Sequence, residues 1–171
     1  FEVIEACKIF NFNNKKYRVV IHPQSYVHSI IRFKNGLIKM ILYNTDMKIP
    51  ISNILFGKKN HAENINNIDL KKLNELSFKK VNLNQFPSLK LIDKTLKSGQ
   101  MAPTIINASN EVLVDLFLSN KIAFLDIVEN INKIFKDKDF KKYARRKLVT
   151  IKDVKIVDNW ARLKTKSICV R

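Results

Sequence analysis

Strand-like alternation is confined to the first half of the sequence. Through residue 78, short β-branched and aromatic runs alternate apolar with polar residues; from Phe86 onward the strand signals vanish and apolar positions recur at helical spacing. A strand buries every second residue and a helix every third or fourth, so one element type cannot serve both stretches. An α+β fold is predicted: a small antiparallel sheet with flanking helices, then an all-α bundle, divided near residues 75 to 86 into domains 1–80 and 81–171.

In the first part, Val3, Ile4, Cys7 and Phe10 predict a helix over 2–10, ended by the Asn-rich stretch 11–14. Residues 17–21, 26–33 and 37–43 predict three strands of an antiparallel meander. Asn35-Gly36 joins the last two, because a type I′ turn needs two residues that tolerate positive φ. Pro50 suits the first turn of a short helix over 51–56 packed under the sheet, and Gly57 suits the αL position after it. Residues 58–67 read as a polar loop and 76–78 as a brief extended segment. Further on, helices are predicted over 87–97, 103–118, 124–135 and 154–168. Residues 136–147, the most charged and least periodic, are predicted to be a mobile connection.

The formal charge of +17 raises a nucleic-acid reading, since a basic footprint is the first requirement for holding phosphates. Its distribution argues otherwise: Lys doublets at 15–16, 58–59, 71–72, 79–80 and 141–142 are dispersed, as on a solvated surface. Residues 133–147 interleave Phe135, Phe140 and Tyr143 with eight basic residues, the best candidate for an RNA-binding stripe, but Asp137 and Asp139 interrupt it. No apolar run approaches the roughly 20 residues of a membrane-spanning helix, and no secretion signal is visible, so a soluble intracellular protein is expected. Cys7 and Cys169 have no CxxC spacing and read as reduced thiols. The chain opens Phe1-Glu2-Val3, without Met and already inside an apolar pattern, which predicts a piece of a longer protein.

Chemistry has few candidate carriers. Glu2 and Glu5, three apart on a helix, project from nearly one face and can share a cation, although most such pairs are merely solvated. His22-Pro23-Gln24-Ser25 interrupts a strand, and His28 and Ser29 follow; proline in a sheet marks edges and bulges, which often flank active sites. With three glycines, the chain contains no GxGxxG phosphate cradle. Asn107-Ala108-Ser109-Asn110-Glu111 reads structurally, either as capping with an acidic residue in a first helical turn or as close helix approach over Ala108.

Taken in order, Glu2-Val3-Ile4-Glu5-Ala6, His22-Pro23-Gln24-Ser25-x-x-His28-Ser29, Asp46-Met47-x-x-Pro50, Phe86-Pro87-x-Leu89-Lys90-Leu91, Asn107 to Glu111 and Trp160-Ala161-Arg162 resemble the 1-deoxy-D-xylulose 5-phosphate reductoisomerase family. The resemblance implies the end of a catalytic α+β domain followed by a helical domain, with the NADPH-binding domain absent, and a fragment inactive alone. It implies NADPH and a divalent Mg²⁺, Mn²⁺ or Co²⁺ as cofactors, a sugar phosphate substrate, and a homodimer formed through the catalytic domain. Neither nucleic acid nor membrane is an implied partner, and the location is bacterial cytoplasm or a plastid-type organelle. Glu2 is implied as a metal ligand in contact with substrate and Glu5 as a carboxylate beside it. His28 is implied as a catalytic histidine, Ser25 as a substrate contact, and Met47 as lining the nicotinamide and substrate cavity. Thr45 stands where a proline is usual and Tyr43 where a glycine is common.

Overall fold

The computed structural model describes residues 1–57 and 70–169. The predicted loop over 58–67 and the Lys58-Lys59 doublet lie outside the described residues. The chain divides into two compact units, one of residues 1–18 with 82–169 and one within Val19–Val81. The α+β class holds, with eight helices among the described residues and only short antiparallel pairings.

In the helical unit, α1 (Glu2–Ile9) buries Ile4 and Cys7, which seats it with the bundle. A 3₁₀ turn over Pro87–Lys90 leads into α4 (Leu91–Ser98), and α5 (Ala102–Leu118) forms the centre of the core. Ile105, Ala108 and Leu113 of α5 are fully buried, as are Val157 and Ala161 of α8 (Ile151–Cys169). Small side chains at Ala108 and Ala161 permit close backbone approach. In α6 (Asp126–Lys136), the buried Ile127, Asn130, Ile131 and Ile134 follow the i, i+3, i+4, i+7 stripe that the sequence displays. Buried hydroxyls of Thr95 and Thr165 donate to the carbonyls of Leu91 and Ala161, both at 2.7 Å, so neither carries an unpaired donor into the core.

Residues 136–147 are not a mobile connection. They contain α7 (Phe140–Ala144), with Phe140 and Ala144 buried, and Lys164 Nζ holds Asp137 Oδ2 at 2.7 Å. Partial burial pushes the Asp137 carboxyl up, but hydrogen bonds from Lys164 and the Asp139 N–H outweigh it and leave the pKa depressed. One helical turn is too short to display a period, so its two buried residues are hidden among the charges. The aromatic rings of this stretch pack internally: Phe135 lies against Phe140 at 4.9 Å and Tyr143 stacks on Trp160 at 4.3 Å. Each ring of the stripe thus has an aromatic partner within the helical unit.

Thr150 and Asp153 cap α8. Asp153 Oδ2 accepts the Thr150 N–H at 3.0 Å, while Oδ1 accepts from Arg146. The Thr150 N–H, then Arg146 and the Thr150 hydroxyl, hold the Asp153 pKa at about 2. A depressed carboxylate stabilises the fold above its unfolded pKa of about 3.9, and that contribution is lost as pH falls toward the folded value. Asp153→Asn is therefore expected to lower the melting temperature at neutral pH and to flatten its fall between about pH 4 and pH 2. Thermal melts of both forms across that range, followed by circular dichroism, check this.

The second unit differs from the predicted meander. β1 (Val20–Ile21) pairs with β4 (Lys79–Lys80), and β2 (Val27–Arg32) pairs with β3 (Ile38–Leu42), giving two separate two-stranded sheets. Pro23 breaks the path from β1 to β2, and Gln24 Nε2 instead donates to the carbonyl of Glu75 at 2.6 Å, beside β4. The hairpin turn sits at Asn35-Gly36 as predicted, but it is not type I′, because only Gly36 has positive φ (+89°). The Gly36 N–H donates to Phe33 O at 3.1 Å, as in a three-residue loop closed by one left-handed glycine.

The helix predicted over 51–56 is α2 (Lys48–Phe56), and α3 (Leu70–Asn74) precedes β4. α2 is not packed under a sheet: Ile54 and Leu55 are 84% and 70% exposed, and α2 has no buried residue. Both faces of the β2–β3 hairpin also carry exposed apolar side chains, including Ile30, Ile31, Met40 and Ile41.

Candidate functional site

The predicted site residues fall into two groups, one in each unit. Glu2 and Glu5 occupy the first turn of α1, where the unpaired N–H groups favour negative charge. Both are exposed, and neither forms an ion pair among the described residues. Glu5 lines a concavity of about 330 Å³ with Phe1, Ile4, Thr104, Asn107 and Asp158. Glu2 offers a hard oxygen donor suited to a divalent cation. It does so alone, because no group of three His, Cys, Asp or Glu residues capable of holding a metal exists among the described residues.

Near Asn107 lies a charge network not anticipated from sequence. Asn107 Nδ2 donates to Glu111 Oε1 at 2.8 Å, and Arg162 spans Glu111 on α5 and Asp158 on α8. Hydrogen bonds to Asp158 and Glu111 push the Arg162 pKa further up, so it stays charged at any accessible pH. The available signals were the i, i+4 spacings Asn107/Glu111 and Asp158/Arg162. Only their meeting across α5 and α8 was invisible. With Ala108 and Ser109 fully buried, the Asn107–Glu111 motif does have the structural role that its small residues implied.

In the sheet unit, His22 Nδ1 donates to the Ser77 carbonyl at 2.9 Å and its ring stacks on Phe78 at 4.8 Å. Its Nε2 is buried without a hydrogen-bond partner among the described residues. The Ser25 N–H closes a turn onto His22 O at 3.0 Å, with Pro23 at the second turn position and Ser25 itself at φ +51°. β2 then carries a bulge: Val27 pairs with Leu42 and Ser29 with Ile41, leaving His28 as the extra residue.

His28 Nε2 lies 3.1 Å from the Tyr43 carbonyl oxygen, and the two rings stack at 3.6 Å, 2° from parallel. Met47 precedes α2 and is 60% exposed. Gln24, Tyr26, Asn44, Thr45 and Lys72 line a concavity of about 270 Å³; Ser25, His28 and Met47 do not.

A bulged hairpin bearing a clamped histidine, and a helical bundle bearing an exposed acidic first turn, define a mixed α+β protein whose described residues include no nucleotide-binding glycine loop. The chain belongs to the DXP reductoisomerase C-terminal domain family, whose model matches residues 42–164. Met47 lies inside that match, whereas Glu2, Glu5, Ser25 and His28 precede it.

Relatives extend the likeness over the whole chain. The 1-deoxy-D-xylulose 5-phosphate reductoisomerase of Pelagibacter ubique is 39% identical over 170 residues, covering 99% of this chain and 44% of the relative. That of Shewanella piezotolerans is 36% identical, covering 94% and 39%. Among solved structures, the Zymomonas mobilis enzyme in complex with NADPH superposes with a TM-score of 0.86 at 31% identity, over 99% of this chain and 44% of that one. A DOX-P reductoisomerase in complex with magnesium gives 0.87 at 28% identity, over 98% and 43%. The chain thus spans less than half the length of the relatives it matches.

Proposed function

We propose that this chain is part of an enzyme that rearranges the carbon skeleton of 1-deoxy-D-xylulose 5-phosphate and reduces the resulting aldehyde to 2-C-methyl-D-erythritol 4-phosphate. The observation that carries the reading is the 39% identity to a reductoisomerase over 99% of the chain. In sequence, residues 1–80 close the catalytic domain and 81–171 form the helical domain, with α1 packed in the helical unit. Bound magnesium and NADPH, each present in a solved relative, supply Lewis acidity at the ketone oxygen and the reductant.

In this reading Glu2 would be one of the carboxylate ligands that hold the cation. Glu5, one turn on, orients the ligand and adjusts its proton affinity. Ser25 and His28 contact the sugar phosphate, and Met47 lines the nicotinamide and substrate cavity. The enzyme acts as a homodimer; the exposed apolar side chains of the β2–β3 hairpin and α2 are surface of the kind that obligate partners cover. Action in the bacterial cytoplasm or a plastid-type organelle belongs to the same reading, supported by the bacterial relatives; among the described residues no helix is long and apolar enough to cross a membrane.

The test uses the complete polypeptide. With 1-deoxy-D-xylulose 5-phosphate and Mg²⁺, NADPH absorbance should fall at a rate proportional to enzyme, and a chelator should abolish the fall until metal is restored. Absence of any substrate-dependent NADPH oxidation under saturating metal defeats the reading.

A further inference from the structure

We infer that Tyr43 is a positioning residue that sets which nitrogen of His28 faces the substrate, and that the group His28 receives is a hydroxyl rather than a phosphate. This rests on the reading of His28 as a substrate contact and adds to it a tautomer and a ligand group.

The bulge at His28 re-aims its side chain out of the strand's alternation, and His28 is exposed there. Tyr43 then makes two contacts with the imidazole. Its ring covers one face at 3.6 Å, and its main-chain oxygen lies 3.1 Å from Nε2. A carbonyl oxygen only accepts, so Nε2 carries the hydrogen. In the neutral ring Nδ1 is therefore a lone-pair acceptor, and none of the described residues donates to it.

With Nε2 committed and one face covered, the open polar approach is in the ring plane at Nδ1. A fully ionised phosphate presents only acceptors and has nothing to give this nitrogen. A sugar hydroxyl donates to it directly. The recognised group on a polyol phosphate is then one of its hydroxyls.

The stacked geometry separates the roles of the Tyr43 ring and backbone. Tyr43→Phe keeps the aromatic face and the carbonyl, whereas Tyr43→Ala keeps the carbonyl but removes the ring that holds the exposed imidazole against it, leaving His28 free to turn away from that acceptor. In the complete polypeptide labelled with ¹⁵N-histidine, long-range ¹H–¹⁵N spectra report the tautomer of His28, whose signals are those lost in His28→Gln. The wild type and Tyr43→Phe should show the Nε2–H pattern, and Tyr43→Ala a mixture of tautomers. KM for 1-deoxy-D-xylulose 5-phosphate should rise roughly three- to tenfold in Tyr43→Ala, the span expected for losing one aromatic stack, and Tyr43→Phe should prevent that rise.

Adding 1-deoxy-D-xylulose 5-phosphate should shift the His28 Nδ1 resonance, while inorganic phosphate at the same concentration leaves it in place. An Nδ1–H pattern in the wild type, or an unchanged tautomer ratio in Tyr43→Ala, overturns the positioning role. A shift produced by inorganic phosphate alone overturns the hydroxyl assignment. If the tautomers mix in Tyr43→Ala while KM and kcat stay as they were, Tyr43 does orient the ring, and it is the substrate-side reading of His28 that fails.

Discussion

Glu2→Gln in the complete polypeptide is expected to lower turnover by at least about 100-fold and to raise the metal concentration needed for half-maximal rate. The amide keeps the size of the side chain but removes its negative charge, and a dication held by hard oxygen donors depends on that charge. Stability should not follow. Glu2 is exposed and forms no ion pair among the described residues, so stability should change by no more than about 0.5 kcal/mol, the range of ordinary surface changes. A metal titration of the steady-state rate, run beside a thermal melt, separates lost ligation from lost fold. Wild-type activity at limiting metal would show that Glu2 is not a ligand.

Gly99→Ala should strongly destabilise the helical unit. Gly99 sits at φ +147°, where an L side chain is strained, and an added Cβ would lie 2.2 Å from the Ala144 carbonyl oxygen. That oxygen accepts the Met101 N–H at 3.0 Å, so relieving the clash breaks a hydrogen bond where α5 begins and displaces α7 with its buried Phe140. Strain, a lost hydrogen bond and disturbed packing together amount to about 3 kcal/mol or more, a fall in melting temperature of about 10 °C or more for a unit of this size. A melt indistinguishable from wild type would rule out this close approach.

The helices predicted over 103–118, 124–135 and 154–168 match α5, α6 and α8 within two or three residues at each end. They are long enough for the apolar stripe to repeat, and the stripe is a property of the chain alone. α7 was unreadable because a five-residue helix contributes two buried positions, too few to be a pattern. In the sheet unit, the strands over 27–32 and 38–42 were legible from alternation and from the Asn35-Gly36 turn. The pairing of β1 with β4 was not, because Val20 and Lys80, sixty positions apart, are brought together by hydrogen bonds that leave no local trace. Similarly, the spacing of Glu2 and Glu5 could be read as one helical face, but the pairing of Tyr43 with His28 depends on a bulge that adds one residue to one strand.

From sequence alone came the α+β class, the positions of the long helices, the placement of the hairpin turn and, through ordered motifs, the family. Each of these is encoded over a few turns or a few residues, where periodicity and backbone preference act without help from the rest of the chain. The tertiary structure decided that α1 belongs with the helical bundle, that residues 140–144 are core, that Arg162 joins α5 to α8, and that one face of His28 is covered. Those outcomes depend on which surfaces meet after the elements have formed, and burial between distant segments is a property of the folded chain rather than of any stretch within it.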